Sequence, residues 1–254
     1  MNLGRESAVL TYEGDTIMLG SVKVNLKELQ NMIKGREDSI FFITTSGSIL
    51  RLAFSRSGKF YKLKALGENI APTLEISGIH MHNILNTDPW SDAERKVKLV
   101  GVKKGFKVLD ICTGLGYTAI HLARKGAEVI SIEKDPNVIE IAEYNPWSWE
   151  LTRPEITLLL SDAFYLLDRL PVGEFDAAIH DPPRFSLAGN LYSLDFYVKL
   201  HRVLRRGALV YHYTGAPGKY RGLNFQASIV ERLRLAGFRI VDVFENDGVV
   251  AEAS

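Results

Sequence analysis

The segment Asp181-Pro182-Pro183 could perform chemistry because it offers hydrogen-bond acceptors and few donors. Two successive prolines hold the backbone extended and remove two N–H groups, so carbonyl oxygens join the Asp181 carboxylate as acceptors. Such a loop suits an amine and does not suit an oxyanion. An exocyclic amine of a nucleobase is a poor nucleophile. Hydrogen bonds from its two N–H groups to Asp181 and the Pro182 carbonyl would favour a pyramidal nitrogen that can attack a methyl group. Asp181 is also the nearest candidate to take the departing proton.

The residues after this segment, Arg184 and Phe185, are candidates for holding a planar substrate. A base could stack on the Phe185 ring or on the guanidinium plane of Arg184. By itself, Asp-Pro-Pro is more typical of a rigid turn. Its position at the end of a predicted strand that stops at His180 favours the functional interpretation.

A second segment, residues 110–117, is typical of a cofactor-binding turn between a strand and a helix. Its glycines allow a tight turn and the close approach of a ligand, and the start of the helix favours a carboxylate. Alone, this pattern is weak, since many such junctions contain two glycines. The candidate cofactor-binding residues in it are Asp110, Thr113, Gly114, Gly116 and Tyr117.

Acidic residues also end the next two predicted strands, at Glu133 and Asp162. A carboxylate at the first position can accept hydrogen bonds from both hydroxyls of a ribose. One at the second can accept a hydrogen bond from an adenine amino group. Their neighbours Lys134 and Ala163 join the candidate cofactor site. Each of the three strand-end acids, Asp110, Glu133 and Asp162, could instead cap the helix that follows it. We expect this structural role for one of them and not for all three.

From Lys107 onward, strands and helices alternate, which predicts a parallel sheet with helices on both faces. The alternation ends in two apolar segments joined by Asn246-Asp247-Gly248, a sequence typical of a tight hairpin turn. The predicted strands are 108–111, 128–132, 156–160, 176–180, 208–213, 238–244 and 249–253, and the predicted helices 117–125, 136–144, 163–170, 191–204 and 227–236.

With these motifs, the region from Lys107 to about Glu252 resembles the class I methyltransferases that use S-adenosylmethionine (SAM). The resemblance implies a Rossmann-like α/β sheet with a terminal antiparallel hairpin. It also implies that residues 110–117 hold the methionine part of SAM, Glu133 the ribose, and Asp162 with Ala163 the adenine. The family loop often has a third glycine, and Tyr117 is taken to stand in its place.

Asp181-Pro182-Pro183 resembles the Asp-Pro-Pro-x signature of the amino methyltransferases, whose last residue is usually aromatic and stacks on the target base. Here Arg184 holds that position, so Phe185 joins the proposed catalytic residues. The layout is similar to archaeal methyltransferases that modify cytosine amines in ribosomal RNA. An NAD-dependent enzyme is a competing interpretation of the glycines, and Ala119 at the third glycine position permits it. Cys112 lies inside the cofactor loop, so we interpret it as a small buried residue rather than a nucleophile.

The first part of the chain predicts a small, mostly β domain over residues 1–75, with short strands separated by Gly-containing turns. Residues 76–105 are predicted to connect it to the methyltransferase domain, residues 106–254. Within the connector, Ser91-Asp92-Ala93-Glu94 forms a capping box that predicts a helix from there to about Val102.

Two stretches, 51–64 and 199–221, are basic, lack acids and include aromatic residues, which suits phosphates and unstacked bases. Arg56 and Lys59 are therefore candidates for binding substrate, as is His82, because in related enzymes the segment before the first strand often closes over the cofactor. A solvated surface explains the basic stretches equally well. His80 and His82 alone make a poor metal site, so no metal is expected.

Composition limits the remaining possibilities. The chain has 254 residues, 46% of them hydrophobic, one cysteine and a formal net charge of +1. Its polar N-terminus does not predict a secretory signal, and no apolar run reaches the length of a membrane span. Together with the single cysteine, these features predict a cytoplasmic protein without a disulfide or membrane partner.

The sequence therefore favours a SAM-dependent RNA methyltransferase that acts in ribosomal RNA processing. Its predicted target is an exocyclic base amine, most simply that of cytosine. One alternative is a methyl- or aminopropyltransferase that acts on a small, polyamine-like amine, for which a more acidic site is expected. A tRNA base methyltransferase and an RNA-binding protein without catalysis are others. Mono- and dimethylation are not distinguished.

Overall fold

The computed structural model describes residues 1–215 and 225–254. The chain forms two compact units. The first contains residues 1–92 and 137–149, and the second contains residues 93–136 and 150–254. These ranges differ from the predicted 1–75, 76–105 and 106–254, because strands of the first unit continue past residue 75 and a later segment of the chain joins that unit.

The first unit is built from short antiparallel strands in sheets of three, two and four strands, ordered β1-β2-β3, β4-β5 and β6-β7-β8-β9. A small apolar cluster of Ile17, Val24 and Ile49 packs against helix α1. The elements are β1 (Thr11–Glu13), β2 (Thr16–Leu19), β3 (Val22–Asn25), α1 (Leu26–Ile33), β4 (Phe41–Ile43), β5 (Ile49–Arg51), β6 (Ala53–Arg56), β7 (Lys59–Lys64), β8 (Thr73–Ile76) and β9 (Ile79–His80).

The hairpin formed by β8 and β9 was predicted as part of the connector, and the structure corrects this. Glu75 and Ile76 pair with His80 and Ile79, and β8 also pairs with β7. The turn between them is Ser77-Gly78, with φ angles of 48° and 81°. This Ser-Gly turn follows the same rule as the earlier turns of the domain.

The second unit is organised around a seven-stranded sheet. Its elements are α2 (Pro89–Leu99, which begins in the first unit), β10 (Lys107–Ile111), α3 (Tyr117–Arg124), β11 (Glu128–Glu133), α4 (Pro136–Glu143, which continues into the first unit), β12 (Ile156–Leu160), α5 (Ala163–Leu166), β13 (Phe175–His180), α6 (Phe185–Ala188), α7 (Leu194–Val203), β14 (Leu204–Tyr213), α8 (Phe225–Leu235), β15 (Phe238–Phe244) and β16 (Gly248–Ala253).

The strand order in this sheet is β12-β11-β10-β13-β14-β16-β15. Strands β10 to β14 run parallel, whereas β16 is antiparallel to both β14 and β15. This arrangement confirms the predicted α/β sheet with a terminal antiparallel hairpin. The strand order reverses between β10 and β13, and at such a point the loops after the two strands diverge and open a crevice for a ligand.

Helix α2 begins earlier than the predicted capping box at Ser91. The N-cap is Asp88, whose Oδ1 accepts hydrogen bonds from the backbone N–H groups of Trp90 and Ser91, both at 3.0 Å. Its Oδ2 accepts a 2.6 Å bond from the Ser91 hydroxyl. Asp88 is the N-cap instead of Ser91 because Pro89 then occupies the first helical position, where its missing N–H costs nothing. The helix ends at Leu99 instead of Val102.

Helix α7, in contrast, begins later than predicted, because Ser193 caps it by accepting a hydrogen bond from Phe196 N–H at 3.1 Å. A short 3-10 helix, Gly189–Tyr192, precedes it. In the part of the chain that the structure describes, no helix has both the length and the apolar character needed to cross a membrane.

Candidate cofactor and reaction site

Asp110, at the end of β10, is fully buried beneath the loop that follows it. Its carboxylate accepts hydrogen bonds from the hydroxyls of Thr118 at 2.7 Å and Ser131 at 2.6 Å. Ser131 in turn lies 2.6 Å from the Thr113 hydroxyl. Burial raises the pKa of Asp110 to about 6, and the two hydroxyls oppose that rise. Asp110 thus ties the loop, helix α3 and strand β11 together from below.

The loop above Asp110 has a left-handed backbone at three alternating positions. The φ angles are 72° at Cys112, 56° at Gly114 and 80° at Gly116. Cys112 is therefore the non-glycine residue at the third position where the loop needs a left-handed backbone. This corrects the prediction that Tyr117, the first residue of α3, replaces the third glycine of the family loop. A left-handed non-glycine residue costs roughly 1–2 kcal/mol. The Cys112 and Thr113 N–H groups both donate to the Ile132 carbonyl, which holds this conformation.

Glu133, at the end of β11, faces the same loop. One of its oxygens accepts a 3.0 Å hydrogen bond from Gly114 N–H, and the other accepts bonds of 2.9 Å from the N–H groups of Lys134 and Asp135. Burial raises the pKa of Glu133, and the three N–H groups oppose that rise. The carboxylate is consequently fixed in orientation at the strand tip.

Asp162, at the end of β12, has a structural role as the N-cap of α5. Its Oδ1 accepts a 3.0 Å hydrogen bond from Phe164 N–H. Its Oδ2 lies 2.8 Å from the ammonium of Lys134, whose side chain is 71% exposed. Ala163 is buried next to it. Of the three acids, Asp162 is thus the one that caps a helix, as the sequence interpretation allowed for one of them.

The Asp181-Pro182-Pro183 segment, which we call the reaction loop, lies directly beside the cofactor loop. His180 pairs with Ile111 across the parallel strands, and Asp181 N–H donates to the Ile111 carbonyl at 3.2 Å. The two loops therefore leave neighbouring strands at the point where the strand order reverses. Pro182 is buried.

Two residues that the sequence interpretation missed hold the reaction loop. The ammonium of Lys96, on α2, donates to Asp181 Oδ2 at 2.7 Å. The hydroxyl of Tyr192 donates to the Pro183 carbonyl at 2.9 Å. Lys96 could have been suspected from sequence, because it lies three residues after Ala93 and four before Val100, on the buried face of its helix. No sequence signal marks Tyr192.

Phe185 presents an aromatic face next to the reaction loop. Its side chain is 49% exposed. Edge-on contacts with Tyr192, at a centroid distance of 5.6 Å, and with Phe225, at 5.3 Å, hold the ring in place. Arg184 is exposed and occupies the N-cap position of α6. Phe225 was not anticipated, because the predicted helix began at Ala227, two residues later.

A buried histidine pair lies at the ends of β13 and β14. The rings of His180 and His212 stack at 4.3 Å, and His212 shares a 2.8 Å hydrogen bond with the Tyr197 hydroxyl. Burial lowers the pKa of His212 to about 3 and that of His180 well below its ordinary value. Both rings are therefore uncharged at neutral pH.

The predicted substrate residues Arg56, Lys59 and His82 lie in the first unit, whereas Arg184 lies in the second. Arg56 forms an ion pair with Glu140 and stacks over the Phe54 ring at 5.0 Å. His82 Nδ1 lies 3.1 Å from the Thr73 hydroxyl. Arg56 is thus engaged inside its own unit.

Most of the first basic stretch is neutralised by acids from elsewhere in the chain. Lys62 lies 2.7 Å from Asp38. Lys64 lies 3.4 Å from Asp38 and 3.5 Å from Glu75. This stretch therefore offers less positive charge to a phosphate than its sequence suggested.

The second stretch behaves in the same way. Lys199 pairs with Asp168 at 2.9 Å, and Arg205 pairs with Asp176. Lys219 and Arg221 lie outside the described residues. Within residues 1–215 and 225–254, no group of three His, Cys, Asp or Glu side chains could hold a metal ion.

Comparison with known proteins places this geometry in a family. Residues 55–162 match the model of the protein-L-isoaspartate(D-aspartate) O-methyltransferase family. The chain is 50% identical to uncharacterized protein MJ1233 of Methanocaldococcus jannaschii, over 85% of this chain and 74% of that protein. It is 31% identical to MJ1653 of the same organism, provisionally named a ribosomal RNA large subunit methyltransferase, over 41% of this chain and 27% of that one.

Solved structures of other proteins share the fold. A spermidine synthase in complex with the transition-state analogue AdoDATO has a TM-score of 0.65 at 17% identity, over 85% of this chain and 80% of that one. A SAM-dependent methyltransferase from Aquifex aeolicus has a TM-score of 0.51 at 22% identity, over 64% and 90%. The glycine-containing loop, the fixed Glu133 carboxylate and Asp162 at the neighbouring strand tip fit SAM. The chain therefore belongs to the same family as MJ1233 and has the class I SAM-dependent methyltransferase fold, whose cofactor is SAM.

Proposed function

We propose that this protein is a SAM-dependent N-methyltransferase that acts on an exocyclic base amine of RNA, most simply cytosine in ribosomal RNA. One observation carries the proposal: the acceptor-rich reaction loop leaves β13 directly beside the cofactor loop, with Asp181 N–H bonded to the Ile111 carbonyl. An amine bound there would lie at the same edge of the sheet as the residues that would hold SAM.

In this proposal the residues at the three strand tips hold the cofactor. The loop from Thr113 to Tyr117 receives the methionine part, Glu133 receives the ribose hydroxyls, and Asp162 with Ala163 and Lys134 lines the adenine end. Bound SAM supplies an electrophilic methyl group. The protein's contribution is to place the acceptor nitrogen in line with that methyl group, which supplies much of the acceleration in such transfers.

The reaction loop orients the amine. The N–H groups of the substrate amine donate to Asp181 and to the Pro182 carbonyl. The Pro183 carbonyl accepts a hydrogen bond from the Tyr192 hydroxyl instead. The base stacks on the half-exposed Phe185 ring, with the exposed Arg184 at its side. When the nitrogen gains a methyl group it must lose a proton, and Asp181 is the group in position to receive it.

An RNA substrate is supported by the relative MJ1653 and by the planar aromatic platform beside the reaction loop. The basic stretches give less support than the sequence suggested, because Lys62, Lys64, Lys199 and Arg205 are already paired with acids. We therefore assign recognition chiefly to base stacking and the loop acceptors. We also expect the protein to act in the cytoplasm.

A small amine is the second candidate substrate, because the fold is shared with a spermidine synthase over 85% of the chain. A polyamine carries several positive charges and requires unpaired carboxylates. Here the carboxylate of the reaction loop is paired with Lys96, which disfavours that substrate.

The test is transfer of radiolabelled methyl from SAM to total RNA from a strain that lacks the gene, followed by nucleoside mass spectrometry. We expect label on a base methylated at its exocyclic amine. Asp181→Ala should lose the transfer, whereas Asp195→Ala, which removes an exposed acid on α7, should retain it. Absence of label in RNA, with SAM still bound in calorimetry, would instead favour a small amine or a protein.

A further inference from the structure

Lys96 is an unusual residue to find inside this unit. It is 4% exposed, on the buried face of α2, and lysine is almost never fully buried unless it is paired. Its ammonium lies 2.7 Å from Asp181 Oδ2 and 4.9 Å from the centre of the Tyr213 ring. The Asp181 carboxylate and the face of the Tyr213 ring, both at the carboxyl edge of the sheet, therefore stabilise the buried ammonium.

The neighbouring residue of the same helix makes a similar pair. Arg95 lies 2.8 Å from Asp247, in the turn between β15 and β16. Asp247 also accepts a 3.0 Å hydrogen bond from the Tyr211 hydroxyl. Helix α2 thus supplies two adjacent cations to two acids at this edge of the sheet, and each pair carries no net charge.

The Lys96–Asp181 pair has a consequence for substrate choice. A lone, partly buried carboxylate attracts cations strongly, because few water molecules screen it. The Asp181 side chain is only 22% exposed. With the Lys96 ammonium in contact, Asp181 can still accept a hydrogen bond from a neutral amine. A protonated amine beside Asp181 would be repelled by the positive charge of Lys96.

We propose that Lys96 determines specificity by excluding protonated aliphatic amines from the reaction loop, so that the site admits an uncharged amine. The inference rests on the proposed function in that Asp181 receives the substrate amine. It goes further in assigning the choice between neutral and cationic amines to a single residue on a different element.

The test is the binding of putrescine, a small diammonium ion, measured by isothermal titration calorimetry. The wild-type protein should show no saturable binding at millimolar putrescine. Lys96→Met, which keeps the length of the side chain and removes its charge, should bind putrescine at least tenfold more tightly. Combining Lys96→Met with Asp181→Asn should abolish that binding, because the attracting carboxylate is gone.

Three further variants keep the test decisive. Lys98→Met removes an exposed lysine of the same helix, paired with Glu94, and should behave as the wild type. Lys96→Arg retains the charge and should still exclude putrescine. Lys96→Gln replaces the Met variant if the latter does not fold, as judged by its thermal transition and SAM binding, and should also gain putrescine binding.

The outcomes separate this inference from the proposed function. Equal putrescine binding by the wild type and the uncharged variants would overturn the role of Lys96 and favour a polyamine substrate. Binding by none of them would also overturn it, while leaving RNA methylation unaffected. Gain of binding in the uncharged variants supports the inference even if no label appears in RNA, in which case only the nature of the neutral amine must be revised.

Discussion

Single side chains outside the Asp-Pro-Pro motif set the shape of the reaction loop. Tyr192 directs the Pro183 carbonyl, and Lys96 holds one oxygen of Asp181. Asp110 has the same kind of role for the cofactor loop, through the hydroxyls of Thr118 and Ser131. Tyr192 and Thr118 lie nine and eight residues from their partners, whereas Lys96 lies 85 residues from Asp181. The two loops therefore depend on nearby and on distant residues that the motifs do not include.

The substitution Tyr192→Phe should slow methyl transfer about tenfold without changing SAM affinity, because losing a hydrogen bond to the carbonyl costs roughly 1.5 kcal/mol of loop positioning. Steady-state kinetics with the RNA substrate and calorimetry with SAM test this. Tyr165→Phe, at an exposed tyrosine on α5, is the control. An unchanged rate in Tyr192→Phe would show that Pro183 is held by the rigidity of the two prolines alone.

Gly116→Ala should weaken SAM binding and destabilise the protein more than Gly105→Ala. Both glycines have nearly the same left-handed backbone, with φ of 80° and 82°, so each pays roughly 1–2 kcal/mol for that conformation. A Cβ at Gly116 would clash with the Leu151 side chain, whereas at Gly105 nothing lies within 4 Å. Thermal unfolding and calorimetry compare the two variants, and equal effects would mean that Leu151 moves away freely.

At the scale of elements, helix α2 links its own N-cap to the reaction site. It starts at Asp88 and carries Arg95 and Lys96, which reach Asp247 and Asp181.

Asp88→Ala should lower the free energy of unfolding by about 1 kcal/mol, the usual effect of losing an N-cap. Ser91→Ala should cost less, because Ser91 only donates to Asp88. Chemical denaturation of the two variants measures the order. The reverse order would restore the capping box at Ser91 that the sequence alone predicts.

At the scale of the whole molecule, buried ionisable groups make stability depend on pH. His180 and His212 stay uncharged in the folded state, since burial lowers the pKa of His212 to about 3 and that of His180 well below its ordinary value. In the unfolded chain they titrate near pH 6.5. As the pH falls, protons therefore bind these histidines in the unfolded chain before they bind them in the folded protein. The free energy of unfolding is highest above about pH 6.5 and falls as the pH falls toward 3.

We therefore expect His180→Phe to flatten the loss of stability in acid. Each buried neutral histidine costs up to about 1.4 kcal/mol per pH unit below 6.5. Urea unfolding of wild type and variant from pH 7.5 to 5 should show that the free energy of unfolding falls less steeply with decreasing pH in the variant. Asp110, whose raised pKa acts in the opposite direction, is common to both proteins and cancels. Parallel curves would mean that the His180 ring is protonated, or reached by water, in the folded state.

The sheet, its terminal hairpin and the acids at the strand tips are all predicted by patterns within the sequence. These features follow from local rules: the alternation of apolar segments, the glycines of turns and the short distance from each strand end to Glu133, Asp162 or Asp181. Parallel strands bring their carboxyl ends to one edge of the sheet, so these motifs predict a candidate site at that edge.

The pairing of charged side chains and the strain at individual loop residues depend instead on the tertiary structure. Arg56, Lys62 and Lys64 belong to a basic stretch that contains no acid, yet they pair with Glu140, Asp38 and Glu75, which lie outside that stretch. A left-handed backbone at Cys112 is set by the hydrogen bonds of its loop. The pairing of Lys96 with Asp181 joins residues 85 positions apart. Such pairings depend on how the elements pack, and no local pattern in the sequence specifies them.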